Sequence, residues 1–134
     1  MDKINLKDIS TPALAYLGDC VIELLVRRTL VASGISSSKS LNVKALDFVR
    51  APAQAEAVKN ILGVLTEEEE AHFRRGRNIG HTNTPKNSTV AEYRAATGME
   101  TLFGYLYLTD QNERAEELFR LAYKLSDRSV QIQK

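Results

Sequence analysis

Two carboxylates occupy the most apolar segments of the chain. Asp19 lies in the segment LGDCVI and Glu100 in the segment GMETLF. An isolated carboxylate in apolar surroundings costs considerable free energy, so each of them needs a cation, hydrogen-bond donors or water. Two such carboxylates that meet can share a hard cation such as Mg²⁺, which takes a few oxygen ligands and keeps part of its water shell. Spacing alone leaves a second interpretation open, in which the acids are paired structural groups.

Small residues stand beside both acids at helical spacing. Ala15 precedes Asp19 by four residues, and Ala96 and Gly104 flank Glu100 four residues away on either side. Residues four apart share one face of a helix, so two helix backbones can approach closely along these faces. A glycine inside a helix costs about 1 kcal/mol relative to alanine, which favours close packing as the reason for Gly104.

Two neighbours of Asp19 have simpler interpretations. Glu23 stands four residues before Arg27 and can form an ion pair with it on the helix surface. Cys20 is expected to be a small buried side chain. Because it is the only cysteine, it excludes an internal disulfide, which favours a reducing, cytoplasmic compartment.

Positive charge is concentrated between residues 74 and 94. That stretch contains one acid, Glu92, and its basic and imidazole side chains are Arg74, Arg75, Arg77, His81, Lys86 and Arg94. The net charge of the whole chain is only +1, so binding to a polyanion has to come from this local asymmetry. These six residues are the candidate contacts to nucleic acid; the alternative for each is ordinary solvated charge.

Four consecutive acids, Glu67 to Glu70, precede the basic stretch. Thr66 and Glu69 have the spacing of a capping box, in which each side chain bonds to the backbone of the other residue, and Thr89 and Glu92 have the same spacing. Acids in a first helical turn also suit the helix dipole. We therefore expect the acidic run to begin a helix rather than to bind a metal.

The composition is that of a single globular domain covering residues 1–134. The chain is 43% hydrophobic and 26% charged, both ordinary values for such a domain. No apolar run approaches the roughly 18 residues of a membrane span, and the N-terminal sequence lacks the pattern of a secretory signal. His72 and His81 do not have the spacing of zinc ligands. No nucleophile–base pattern or glycine-rich phosphate loop is present.

Hydrophobic periodicity and capping signals predict an all-α fold of six or seven helices. Thr11 is the predicted N-cap of the first helix, with Pro12 at the first helical position and Gly34 at the end. This helix is apolar on most sides, as expected at the centre of a bundle or in an interface. Further helices are expected at about 36–49, 53–62, 66–76, 89–108 and 112–125. The loop between residues 78 and 89 has a length that is often functional.

The segments around both acids resemble motifs of the ribonuclease III family. The stretch ALAYLGDCVIELLVR, residues 13–27, is similar to the signature helix of that family, and ATGMETLFGYLYL, residues 96–108, to its second acidic motif. RGRN at 75–78, TPKN at 84–87 and YR at 93–94 resemble the small subgroup called Mini-III ribonucleases. The resemblance covers about residues 11–108, and it is specific because these motifs occur in the right order and spacing.

The resemblance implies a helical bundle of the ribonuclease III catalytic-domain type. It makes Asp19 and Glu100 the catalytic residues and metal ligands of a Mg²⁺-dependent endoribonuclease, with Mn²⁺ as a substitute for Mg²⁺. Ala15 and Thr97 stand where full-size ribonuclease III carries further acids. Both replacements match the Mini-III pattern.

The resemblance also implies a substrate and a partner. The enzyme is expected to cut double-stranded RNA as a homodimer, each subunit cleaving one strand and leaving 5′-phosphate and 3′-hydroxyl ends. Precursor large-subunit (23S) ribosomal RNA is the expected substrate within the Mini-III subgroup. The residues after Leu108 are too few for a separate double-stranded-RNA-binding domain, so the basic stretch is expected to hold the RNA.

Two other functions are compatible with such a bundle. The first is a non-catalytic RNA-binding or ribosome-assembly module, against which the presence of both Asp19 and Glu100 argues. The second is a helical protein–protein adaptor, which gives no role to either acid or to the basic stretch. Mg²⁺-dependent cleavage of duplex RNA distinguishes the enzyme from both.

Overall fold

The computed structural model describes residues 4–79 and 88–125, and within these residues it contains α-helices and short 3-10 turns but no strand. The α-helices are α1 Thr11–Ala32, α2 Ser38–Val49, α3 Ala51–Lys59, α4 Glu67–Arg77, α5 Val90–Leu108 and α6 Asn112–Ala122. Two 3-10 turns span Leu6–Asp8 and Leu62–Val64. The predicted all-α fold is confirmed. None of the described helices is long and apolar enough to cross a membrane.

Side-chain caps mark the start of four of the six described α-helices, α1, α2, α4 and α5. Ser10, not the predicted Thr11, is the N-cap of α1, and its hydroxyl accepts a hydrogen bond from the amide of Ala13. The prediction was one residue late because Ser and Thr are both good caps and adjacent. The capping boxes predicted at Thr66 and at Thr89 are both present.

Helix α5 is the centre of the fold, and it packs against α1, α3 and α4. Its residues from Ala96 to Leu106, apart from Glu100, are all buried. Such an all-round apolar helix is stable only where other helices cover it. The residues of α5 that carry chemistry are therefore held by three neighbouring helices.

The contact between α1 and α5 depends on two glycines. A Cβ atom on Gly18 would overlap the carbonyl oxygen of Glu100, and one on Gly104 would overlap the carbonyl oxygen of Leu14. The backbones of the two helices therefore touch directly at this crossing. The close approach predicted from the small residues around the acids is confirmed.

The acidic run at the start of α4 has a structural role. The carboxylate of Glu69, which is buried, accepts hydrogen bonds from the Arg114 guanidinium at 2.9 and 2.8 Å. This ion pair ties α4 to α6, and the capping box formed by Glu69 begins α4. The expectation that the run begins a helix is confirmed.

Replacing Gly104 with alanine should lower the free energy of unfolding by about 3 kcal/mol or more. The added Cβ overlaps a backbone atom of α1, which cannot move aside as a flexible side chain would. Urea or thermal unfolding of the metal-free protein measures the change. Gly63→Ala is the matched control, because a Cβ there meets nothing within 4 Å. Equal stability of the two variants would contradict the backbone contact.

Candidate active site

The crossing of α1 and α5 brings Asp19 and Glu100 together. Gly18 packs on the backbone of Glu100, so the side chain that follows Gly18 lies beside the Glu100 carboxyl. The two carboxyl groups are close enough for Asp19 to raise the pKa of Glu100, by repulsion and by a side-chain hydrogen bond. Two acids separated by most of the sequence therefore form one site.

The two acids differ in their surroundings. Glu100 is mostly buried, whereas Asp19 is exposed. The expectation that both lie in apolar surroundings is therefore wrong for Asp19, and the expectation that Cys20 is buried is also wrong. Both errors have one cause, since no described element covers the outer side of α1 at these positions.

The environment of Glu100 strongly favours its neutral form. Burial, followed by repulsion from Asp19 and the hydrogen bond to Asp19, raises the pKa of Glu100 to about 8. Without a cation, the pair therefore holds a proton at neutral pH. A divalent cation would replace that proton, because it stabilises both carboxylates in their charged form.

A cavity of about 760 Å³ opens on Glu100. It lies between α5 and the junction of α2 with α3, and its polar lining residues are Asp47, Arg50, Gln54, Ser88, Tyr93 and Glu100. Sequence reasoning missed Asp47, Arg50 and Gln54. Nothing in their local spacing indicates a site, because they join it only through the packing of α3 on α5.

The donor atoms at this site suit a hard cation. No group of three or more His, Cys, Asp or Glu side chains forms a metal site among the described residues. Asp19 and Glu100 supply carboxylate oxygens only. Mg²⁺ is commonly held by one or two carboxylates, with water and substrate phosphates completing its octahedral shell. The pair therefore fits Mg²⁺ or Mn²⁺ better than a metal that needs a closed protein cage.

Two other residues near the acids have local partners. Glu23 forms the predicted ion pair with Arg27, at 2.8 Å. The hydroxyl of Thr97 donates a hydrogen bond to the carbonyl of Tyr93 in its own helix, at 3.1 Å. Glu23 and Thr97 therefore each have a described partner other than Asp19 and Glu100.

The four described members of the basic stretch are all exposed. Arg74 lies near Glu70 at 3.9 Å, Arg75 contacts the His72 ring, and Arg77 lies over the Phe73 ring. Arg94 projects from the first turns of α5. The other two candidates, His81 and Lys86, lie outside the described residues.

None of these four arginines lines the Glu100 cavity. Arg75 lines a second cavity of about 560 Å³, together with Lys7, Glu68, His72 and Tyr105. Among the described residues that line the Glu100 cavity, Arg50 is the one cation. An RNA duplex that reaches both the acids and the α4 arginines must therefore extend over more than one cavity.

The fold agrees with the comparison to known proteins. Residues 12–111 match the Ribonuclease III domain family. A crystal structure of a protein from Fusobacterium nucleatum superposes with a TM-score of 0.79 at 31% identity, covering 89% of this chain and 95% of that one. The chain therefore belongs to the ribonuclease III family, which makes it an endoribonuclease of that type.

Its sequence relatives specify the group. The Mini-ribonuclease 3 of Clostridium tetani is 38% identical over 130 residues, covering 96% of this chain and 86% of the relative. The Mini-ribonuclease 3 of Enterococcus faecalis is 43% identical over 120 residues, covering 88% and 91%. These relatives confirm the Mini-III resemblance seen in the RGRN and TPKN motifs.

The raised pKa of Glu100 predicts how stability depends on pH. Folding raises this pKa from 4.5 to about 8, so between these values the native protein binds more protons than the unfolded chain. The stabilisation is complete below the unfolded pKa and is lost as pH rises through the folded pKa. In a chelator, Glu100→Gln should therefore show a smaller fall in Tm than wild type between roughly pH 5 and 9.

The matched control is Glu56→Gln, which changes an exposed carboxylate on α3 that contacts only Lys59. Calorimetry at a series of pH values should give this variant the wild-type slope. A wild-type slope in Glu100→Gln as well would show that Glu100 ionises normally.

Proposed function

We propose that this protein is a Mg²⁺-dependent endoribonuclease that cleaves double-stranded RNA at Asp19 and Glu100. The observation that carries the proposal is the pairing of these two acids at the α1–α5 crossing, where Gly18 lies against the backbone of Glu100 beside a large cavity. Burial of Glu100 and repulsion from Asp19 both disfavour the charged form of Glu100, and a bound divalent cation would reverse both effects, which gives the pairing of two acids a purpose. Membership of the ribonuclease III family supports the same function.

The chain contributes position and charge to the reaction. Asp19, which is exposed, and Glu100, which lines the cavity, would hold the cation between them. Bound Mg²⁺ supplies an activated water and neutralises charge on the scissile phosphate. The Arg50 guanidinium, at the cavity lining, is placed to stabilise further negative charge on a phosphate oxygen. The products carry 5′-phosphate and 3′-hydroxyl ends.

The proposed substrate is precursor large-subunit (23S) ribosomal RNA. Similarity to Mini-ribonuclease 3 proteins over most of the chain supports this choice. Duplex RNA is read mainly through its backbone and 2′-hydroxyl groups. The exposed arginines of α4 and Arg94, with His81 and Lys86, are the proposed backbone contacts.

The proposed assembly is a homodimer that uses the outer face of α1. Tyr16, Leu24 and Val31 are 86%, 67% and 58% exposed, and their spacing places them within about a quarter of the helix circumference. Three large apolar side chains in a row on one helix indicate a face that a partner covers. A second copy of the chain, related by a two-fold axis, would bury the same face on both subunits.

Asp19→Asn and Glu100→Gln should each reduce cleavage of duplex RNA by at least about a thousandfold, since each removes a charged ligand with little change in volume. Gel analysis of a structured RNA in Mg²⁺, with end-group determination, measures the loss. RNA binding and dimerisation should persist in both variants, and Glu56→Gln should cleave like wild type. Near-native turnover by either variant would exclude the proposed site.

Replacing Arg75, Arg77 and Lys86 with alanine should weaken binding to duplex RNA. The slope of log affinity against log salt should fall by up to about one unit for each lost phosphate contact. Filter binding in Ca²⁺ at several salt concentrations measures the slope. The control replaces Arg28, Lys59 and Lys124 with alanine, which removes the same charge. None of these three residues lines the Glu100 cavity. Equal slopes for the two triple variants would show that RNA is held elsewhere.

Leu24→Lys should convert the dimer to a monomer at micromolar concentration, because it places a charge in the middle of the proposed interface. Light scattering coupled to size exclusion measures the mass. Leu62→Lys, at an apolar side chain that is also exposed, should remain dimeric. A wild-type monomer that cleaves both strands at full rate would contradict the proposed assembly.

A further inference from the structure

Gln54 is a buried polar residue at the start of α3. It is the fourth residue of that helix, and only 3% of its surface is exposed. Its backbone amide bonds to the carbonyl of Arg50. Its side-chain amide makes no hydrogen bond with any residue of 4–79 or 88–125.

The other buried polar side chains of the described chain are all satisfied. The hydroxyls of Thr29, Thr97 and Thr101 each donate to a backbone carbonyl of their own helix. The carboxylate of Glu69 accepts from Arg114. Gln54 is therefore the exception in this group. A buried amide without a partner destabilises the fold, so an explanation in terms of folding alone does not account for it.

The cavity that Gln54 lines indicates where its partner lies. Gln54 and Glu100 both line the cavity of about 760 Å³. The other charged residues of this lining, Asp47 and Arg50, are exposed. Of the two acids in the lining, Glu100 is the less exposed, because the surrounding helices partly cover it. A buried amide donor and a partly buried carboxyl thus share one cavity.

We propose that Gln54 is a positioning residue, whose side-chain N–H donates a hydrogen bond to the Glu100 carboxylate when the site holds its cation. This inference rests on the proposed metal site. A carboxylate that ligates a metal with one oxygen is usually oriented by a donor on the other, and an amide NH₂ group supplies two N–H donors. The bond is direct or passes through one ordered water in the cavity.

The burial of Gln54 argues against a direct contact with the substrate. With 3% of its surface exposed, its amide lies behind the surface on which a duplex would rest. Arg50, at the rim, is better placed to meet RNA. Gln54 therefore acts on the reaction through Glu100.

The test is Gln54→Met, which keeps the length of the side chain and removes the amide. Titration calorimetry with Mn²⁺ alone, without RNA, should show an affinity lowered about tenfold. The Mg²⁺ concentration for half-maximal cleavage should rise by a similar factor, while kcat at saturating Mg²⁺ stays near the wild-type value. Because the variant removes an unpaired buried group, the Tm of the metal-free protein should stay the same or rise.

Gln111→Met is the matched control, because the amide of Gln111 already donates to the Thr109 hydroxyl at 2.7 Å and does not line the cavity. It should leave Mn²⁺ affinity unchanged. A lower metal-free Tm for Gln54→Met with unchanged Mn²⁺ affinity would show a structural amide and overturn the inference. Weaker RNA binding with unchanged Mn²⁺ affinity would show a substrate contact and also overturn it.

Asp19→Asn separates the inference from the proposed function. If Asp19→Asn weakens Mn²⁺ binding and Gln54→Met does not, the metal site stands and the role of Gln54 is wrong. If Asp19→Asn has no effect on Mn²⁺ binding, the proposed metal site is wrong, and the inference fails with it.

Discussion

The direct contact of two helix backbones is the constraint on which this structure depends. Gly18 of α1 and Gly104 of α5 have no side chain, so the helices approach until backbone atoms touch. Asp19 follows Gly18 in sequence, and the backbone of Glu100 is what Gly18 touches. Any side chain at either glycine would separate the helices and with them the two acids. The geometry of the site is therefore a property of the helix crossing itself.

The asymmetry of the acid pair follows from the same crossing. Helix α5 is covered by α1, α3 and α4, so its carboxyl is desolvated and the pKa of Glu100 rises to about 8. Helix α1 is covered on one side only, so Asp19 remains exposed. Asp19 is exposed and therefore open to a hydrated cation. A bound cation would stabilise most strongly the charged form of Glu100, which its surroundings disfavour. The unpaired amide of Gln54 is a second group whose burial the proposed cation-bound state would explain.

Part of this arrangement follows from local sequence. Capping boxes at Thr66 and Thr89 and the glycines beside the acids were predictable, because they depend on residues three or four positions apart. The exposure of Asp19 and the cavity around Gln54 were not, because they depend on which helices cover α1 and how α3 packs on α5. Apolar neighbours in sequence indicated burial at Asp19, but the outer face of α1 is apolar without being covered.

The most direct test is the location of Mn²⁺ by anomalous scattering in crystals of the wild type and of the Asp19→Asn variant, both without RNA. In the wild type we expect a peak within roughly 2–2.5 Å of one carboxylate oxygen from Asp19 and one from Glu100. The same peak should be absent or much weaker in Asp19→Asn. A strong Mn²⁺ site that touches neither acid, or one that the Asp19 substitution leaves unchanged, would contradict the proposed metal site.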